Sequence, residues 1–440
     1  MKRTWFLALF SAVCLEGLGR KYLPGIPSVA FYFLKDVVLL IGLVRFRPSL
    51  AVRSTAAHLY RGFTVVWFCG LIWTVLETLN PEHQSISLAF IGMRAYWLWW
   101  LAPPVIAEVL RAAKDKRRAI TVLSVMAIGI SVLAAFQFAS PADSSLNLYS
   151  VVDGEAQYAA QLGMVGATGR ARVASTFSFI SGFTDFTIIV PTLLLSVGLE
   201  ARDKKMRRNA LLATMATSAV VPMAGSRGSV VIGVAVMLMT MWTAGLFMTR
   251  VGRRVLLGGI AAAVMSLIAF PDAMLGVQSR FQDREETQGR FLEIANVLPP
   301  VALATVDYPI LGIGTGMQQN ARVQAKVFTK WDTESEVSRL LVELGPVGYL
   351  LVWTAKLGLI VALLRAYAVL KQARKLGAAG AACSFAALTM VGNLVFDHVW
   401  QALYFTGCGF ILAEVVSVVR PQPGPVPATM TDGLPATVPR

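Results

Sequence analysis

Charge is what this sequence has least of. Only 15% of its 440 residues are charged and 56% are hydrophobic, with a mean hydropathy of +0.62. A soluble domain needs more polar surface than that. The period-two alternation of a membrane barrel is missing too, which leaves helices as the spanning element. Cysteine is scarce: Cys14, Cys69, Cys383 and Cys408 all fall within apolar runs and read as small hydrophobes, which excludes a disulfide framework. No Asp, His and Cys set has metal-ligand spacing, so neither a metal nor a cofactor is expected. The opening "MKRTWFLALFSAVCLEGLGR" lacks a small-x-small cleavage site and reads as a retained first helix. Basic residues outnumber acidic ones by 40 to 25, yet no basic groove or aromatic platform accompanies them, so nucleic acid is not an expected partner.

What the chain does have is long apolar runs. They predict an all-α, polytopic helical membrane protein of about twelve spans in contact with a lipid bilayer. The spans lie near 5–19, 26–44, 62–79, 87–110, 119–138, 176–199, 209–225, 228–249, 255–275, 345–364, 376–396 and 401–418. Residues 1–418 form one membrane domain with a large outer loop near 277–344 between spans nine and ten. A Pro-rich, disordered tail over 419–440 follows.

Lysine and arginine set the orientation. "RFRPSLAVRSTAAHLYR", "RAAKDKRR", "ARDKKMRR", "TRVGRR" and "RAYAVLKQARK" occupy every second connection, and Lys2 and Arg3 share their side. The positive-inside rule makes that side, and both termini, cytoplasmic. The outer side then gathers arginine in three places: Arg170 and Arg172, Arg227, and Arg280, Arg284 and Arg290. Arg227 stands between two apolar runs in "VVPMAGSRGSVVIGVAVMLM". The 18 residues between Arg208 and Arg227 span about 27 Å, no more than the hydrocarbon core. Arg227 therefore lies near the outer boundary, either as a snorkelling anchor or beside small residues that let an anion approach.

Local motifs in the large loop have bland readings beside the functional ones. Phe291, Ile294, Ala295 and Leu298 recur at helical spacing and predict a short amphipathic helix after Arg290. Gly312, Gly314 and Gly316 in "YPILGIGTGMQQN" lack the strand and Lys-Ser/Thr of a nucleotide loop and read as turn glycines. In "WDTESEVSRLLVELGPVGYLL", Thr333 and Glu336 fit a capping box, and Arg339 and Glu343 are spaced for a helical ion pair. Lys35 with Asp36, Arg94 and Lys356 are intramembrane charges. They would suit a membrane transporter, and Lys35 and Asp36 can pair with each other.

Several stretches together resemble the O-antigen ligase and Wzy-type O-antigen polymerase superfamily of bacterial inner-membrane proteins. They are "RKYLPGIPSVAFYFLKDVVLL", "RARVASTFSF", "SRG", "GRFLEIANV", "YPILGIGTG" and "ESEVSRLLVELGPVGYLL". The resemblance implies a metal-independent glycosyltransferase acting at the periplasmic face on a polyprenyl-diphosphate-linked glycan. The acceptor is a carrier-linked glycan for a polymerase, or lipid A–core for a ligase; a chain-length regulator or flippase is a further candidate partner. It makes Arg227 and Arg290 the functional pair. A ligase usually has a histidine just before the span that corresponds to span ten; this chain has glutamates there, which favours a polymerase. Glu336 is the first choice of general base, with Glu334 and His398 as alternatives. Arg170, Arg172, Arg280 and Arg284 complete the expected binding set.

Overall fold

The computed structural model describes residues 2–23, 26–152, 155–245, 247, 249–282, 297–319, 327, 329–331, 333 and 335–420. All but the last two residues of the expected amphipathic helix over 291–298, and all but the first two residues of the predicted tail, fall outside these. The described chain is mostly helical. It begins α1 (Lys2–Cys14), α2 (Glu16–Tyr22), α3 (Ser28–Arg45), α4 (Leu50–Leu59), α5 (Phe63–Thr78), α6 (Ile86–Trp97), α7 (Ala102–Leu110) and α8 (Ala113–Ala139). A short antiparallel hairpin, β1 (Leu148–Val152) and β2 (Glu155–Tyr158), interrupts it. Then come α9 (Ile180–Glu200), α10 (Lys204–Ala219), α11 (Arg227–Thr243), α12 (Arg250–Ala269) and α13 (Pro271–Gln282). The series ends with α14 (Pro299–Thr305), α15 (Glu336–Gln372), α16 (Leu376–Val391) and α17 (His398–Val419). The hairpin is an addition to the all-α expectation.

Among the described residues five helices are long and apolar enough to cross a membrane, or six if α4 and α5, bent by 84°, form one span. Such helices are compatible with a membrane protein. The count falls short of the twelve expected, for local reasons. The first apolar run divides at Leu15 into α1 and α2. The run 87–110 divides into α6, a 3-10 turn over Leu98–Leu101 and α7, which carries Pro103 in its first turn, where proline is tolerated. The helices α11 and α16 are apolar but only 17 and 16 residues long. In the other direction, α15 starts at Glu336, inside the predicted loop, and bends at Gly345 before continuing to Gln372.

Burial ranks the helices. The apolar windows of α9 and α17 are 83% and 78% buried against 12% for α12, so α9 and α17 form the centre and α12 the rim. α9 is apolar all round, as a central helix must be, and packs against α10, α11, α16 and α17. Its Thr192 and Ser196 hydroxyls donate back to the carbonyls of Ile188 and Leu193, at 2.7 and 2.8 Å, and so need no outside acceptor.

The two ends of the bundle differ. At one end ion pairs tie the basic connections together: Lys2 to Glu108, Lys116 to Glu414, Arg117 to Asp203 and Lys375 to Glu200. Four of the five basic connections predicted to share a side are thus joined at one end, with the N-terminus and the end of α17. The opposite end holds α2, the hairpin, the α10–α11 turn, the start of α15 and the α16–α17 turn. There α2 lies against residues 174–178. Leu18 N donates to Thr176 O at 3.1 Å, and an added Cβ at Gly17 would overlap the backbone of Phe177. Gly17→Ala should therefore destabilise the protein by about 1–3 kcal/mol, read as a lowered thermal unfolding midpoint in detergent.

Candidate functional site

The α10–α11 turn organises the arginines. Val221–Ala224 forms a 3-10 turn, Gly225 takes a positive φ of 61°, and the Ser226 hydroxyl caps α11 by accepting from Ser229 N at 3.4 Å. Arg227 is the first residue of α11, and its guanidinium donates to the Arg280 carbonyl on α13. The segment that follows the hairpin runs across this turn: Val173 N donates to Met223 O at 3.1 Å, and Arg172 Nε to Ala224 O at 3.2 Å. The side chains of Arg172 and Arg227 therefore both reach main-chain carbonyls around this turn, the latter at Arg280. Arg170 is tied to the edge of the turn, pairing with Asp272 at 3.3 Å and donating to Ala139 O at 3.2 Å. Arg284, Arg290 and Glu334 lie outside the described residues.

Glu336 and His398 stand at the same end of the bundle but on different partners. Glu336 does not cap α15. Ser335 does, its hydroxyl accepting from Ser338 N at 3.1 Å, while Thr333 turns to Gln318 at 3.2 Å. One Glu336 oxygen accepts from Val395 N at 2.8 Å and the other pairs with Lys356, which the bend at Gly345 leaves on the same helix. His398 begins α17. Its Nε2 lies 3.1 Å from Arg94, and a guanidinium can only donate, so Nε2 accepts and the ring proton of the neutral imidazole sits on Nδ1. The Tyr32 ring meets the imidazole edge-on at 5.1 Å.

Two expected ion pairs are replaced. Lys35 pairs with Glu16 rather than Asp36, and Asp36 takes Arg94 and the Trp99 indole, the latter at 2.9 Å. Adjacent helical residues do not face each other, so each charge finds its partner on another helix. Glu343 does not pair with Arg339. It is fully buried and accepts from Gly316 N at 2.9 Å, Gln318 N at 2.6 Å and Tyr96 OH at 2.8 Å. Arg339 donates to Thr333 O at 3.0 Å and lies over the Phe396 ring. Three donors on a buried carboxylate outweigh one half-exposed guanidinium. The glycine stretch thus docks onto α15: Gly316 has a positive φ of 83°, and a side chain there would strike the Leu88 carbonyl.

Sequence reasoning gave no role to Glu16 or Lys21. Both sit in "EGLGRKY", a knot of charge at the end of the first apolar run. That knot is the signal that could have drawn notice. The arginine group can do what guanidinium groups do beside a helix N-terminus, which is to hold an oxyanion. Among the described residues no three His, Cys, Asp or Glu side chains are placed to bind a metal ion.

No protein-family model matches the chain, and no curated protein matches it in sequence.

The Glu336–Lys356 pair has a testable energetic consequence. Lys356→Met strands the glutamate under Val395 and should cost about 3–5 kcal/mol. The double change Glu336→Gln with Lys356→Met should recover most of that loss in thermal unfolding.

Proposed function

We propose that the chain is a multi-pass glycosyltransferase of a bacterial inner membrane that acts at the outer face on a polyprenyl-diphosphate-linked glycan. In this reading both termini are cytoplasmic. The observation that carries it is the placement of Arg172 and Arg227 at the α10–α11 turn, with Arg227 bonded to the Arg280 carbonyl, at the end of the bundle away from the basic loops. The motifs that resemble the O-antigen polymerase and ligase superfamily include both Arg172 and Arg227.

The chemistry suits these residues. An acceptor hydroxyl oxygen attacks the anomeric carbon, the bond from that carbon to the diphosphate oxygen breaks, and its electron pair leaves with the diphosphate. Attack opposite the leaving group inverts the anomeric centre. The departing anion needs fixed cations that do not lose their protons, and guanidinium groups supply them. The acceptor proton passes to a carboxylate or imidazole at the same end of the bundle. Glu336 serves as that base only after giving up Lys356 or Val395 N, and His398 only after its Nε2 leaves Arg94. The glutamates in place of a histidine before the span favour polymerisation of lipid-linked repeats over transfer to lipid A–core.

The test uses purified protein with a lipid-linked repeat alone and then with lipid A–core added. Product in the first mixture identifies a polymerase, and product only in the second a ligase. Arg227→Ala should lower turnover about 100-fold or more while leaving membrane insertion unchanged. Normal product from that variant removes Arg227 from the mechanism.

A further inference from the structure

Among the described residues three lysines are buried: Lys21, Lys35 and Lys356. Lys35 has Glu16 and Lys356 has Glu336. Lys21 is 2% exposed, yet no carboxylate or hydrogen-bond acceptor meets its ammonium among the described residues; it lies 5.2 Å from the centre of the Tyr149 ring on β1. A buried cation is held at a large desolvation cost unless an anion joins it. A ring face returns only part of that cost.

Its position links it to the arginine group. The Tyr149 hydroxyl donates to the Arg172 carbonyl, and Arg172 reaches Ala224 beside Gly225 and Arg227. On the other side α2 is fixed to the same segment by Leu18 and by Arg20, which donates to Ser178 Oγ at 3.1 Å. We propose that Lys21 is an anion-binding residue of this site, and that the missing counter-charge is a phosphate oxyanion brought by the ligand. The proposal rests on reading the arginine group as a diphosphate site, and it adds a residue to which nothing in that reading gives a role.

Burial and then the neighbouring Arg20 lower the Lys21 ammonium to about 7. The elements packed against α2 add few competing charges. Glu16 on α2 itself is engaged by Lys35 and Arg20, Asp36 on α3 by Arg94, and β1 presents Tyr149. The sign follows. Below pH about 7 the lysine of the free protein is already protonated; above it, anion binding must take up a proton, so affinity falls as pH rises.

The experiment measures binding to the full chain in nanodiscs of neutral lipid, with inorganic diphosphate and a polyprenyl diphosphate as probes. Between about pH 6 and about pH 8.5 the wild type should lose up to about 30-fold in affinity beyond the loss shown by Lys21→Arg. That variant keeps its cation throughout and carries the titration of the probe itself. Lys21→Met should bind several-fold more weakly than wild type at the lower pH, with no excess pH dependence and an unfolding midpoint at or above that of the wild type. The proposal is overturned if Lys21→Met binds as the wild type does, or if wild type and Lys21→Arg share one pH profile. No binding of either probe by the wild type overturns the diphosphate reading as well, whereas wild-type binding untouched by Lys21→Met overturns the lysine assignment alone. A preference for the polyprenyl form supports a lipid headgroup as the source, and equal affinity supports a soluble anion at the same residue.

Discussion

A charge inside an apolar bundle has to meet its opposite, and much of this structure answers to that constraint. The desolvation cost of a lone ammonium or carboxylate is several kcal/mol. The chain meets it with pairs that bridge separate pieces. Glu16 to Lys35 joins α2 to α3, and Asp36 to Arg94 joins α3 to α6. Glu336 to Lys356 links the start of α15 to its body and, through Val395, to the α16–α17 turn. Arg94 then passes on to Tyr32 and His398, so the start of α17 joins the same network. Such pairs add little net stability over apolar residues of the same shape. What they impose is register, because each pair can form in only one arrangement of its helices.

The same constraint separates the ends of the molecule. At the basic end lysines and arginines are exposed or half-exposed and pair with acids across neighbouring connections, where water softens every mismatch. At the other end Arg170 pairs with Asp272, while two arginines reach main-chain carbonyls. Arg172 takes Ala224 O and Arg227 takes Arg280 O. A main-chain carbonyl fixes where a guanidinium sits and leaves its proton in place. This difference in partner gives the arginine group its chemical character.

Parts of this were legible in the sequence. The distribution of lysine and arginine predicted four of the connections that share an end, because that signal is written residue by residue along the chain. The arginine at the Ser-Arg-Gly turn stood out because small residues flanked it. The partners were less legible. Thr333 and Glu336 match a capping box, yet Ser335 is equally able to cap, and only the packed helix decides which residue starts it. Arg339 and Glu343 have the right spacing, but Gly316, Gln318 and Tyr96, distant in sequence, reach the carboxylate first. The long apolar helices among the described residues are fewer than twelve partly because hydropathy does not register the breaks at Leu15 and at Leu98–Leu101. The hairpin had a local signal, Asp-Gly between "LYSVV" and "EAQY", which went unread beside the stronger membrane pattern.

The break at Leu15 also explains why the first apolar run does not simply continue. Past it, the backbone of α2 must lie directly on residues 176–178, which only glycine at position 17 permits. The segment it rests on is fixed just as firmly. Ser175 adopts a positive φ of 49° and is fully buried, with Gln137 bonding its N–H at 2.8 Å and its carbonyl at 3.3 Å, while its hydroxyl donates to Ile130 O at 2.9 Å. Such a conformation costs about 1–3 kcal/mol and persists only where its surroundings over-determine it. The result is that Arg20 and Lys21, far in sequence from Arg172, are brought to its segment by backbone contacts as well as by side chains. Groups positioned in that way lose little freedom when a ligand arrives, so more of the electrostatic attraction is retained as binding.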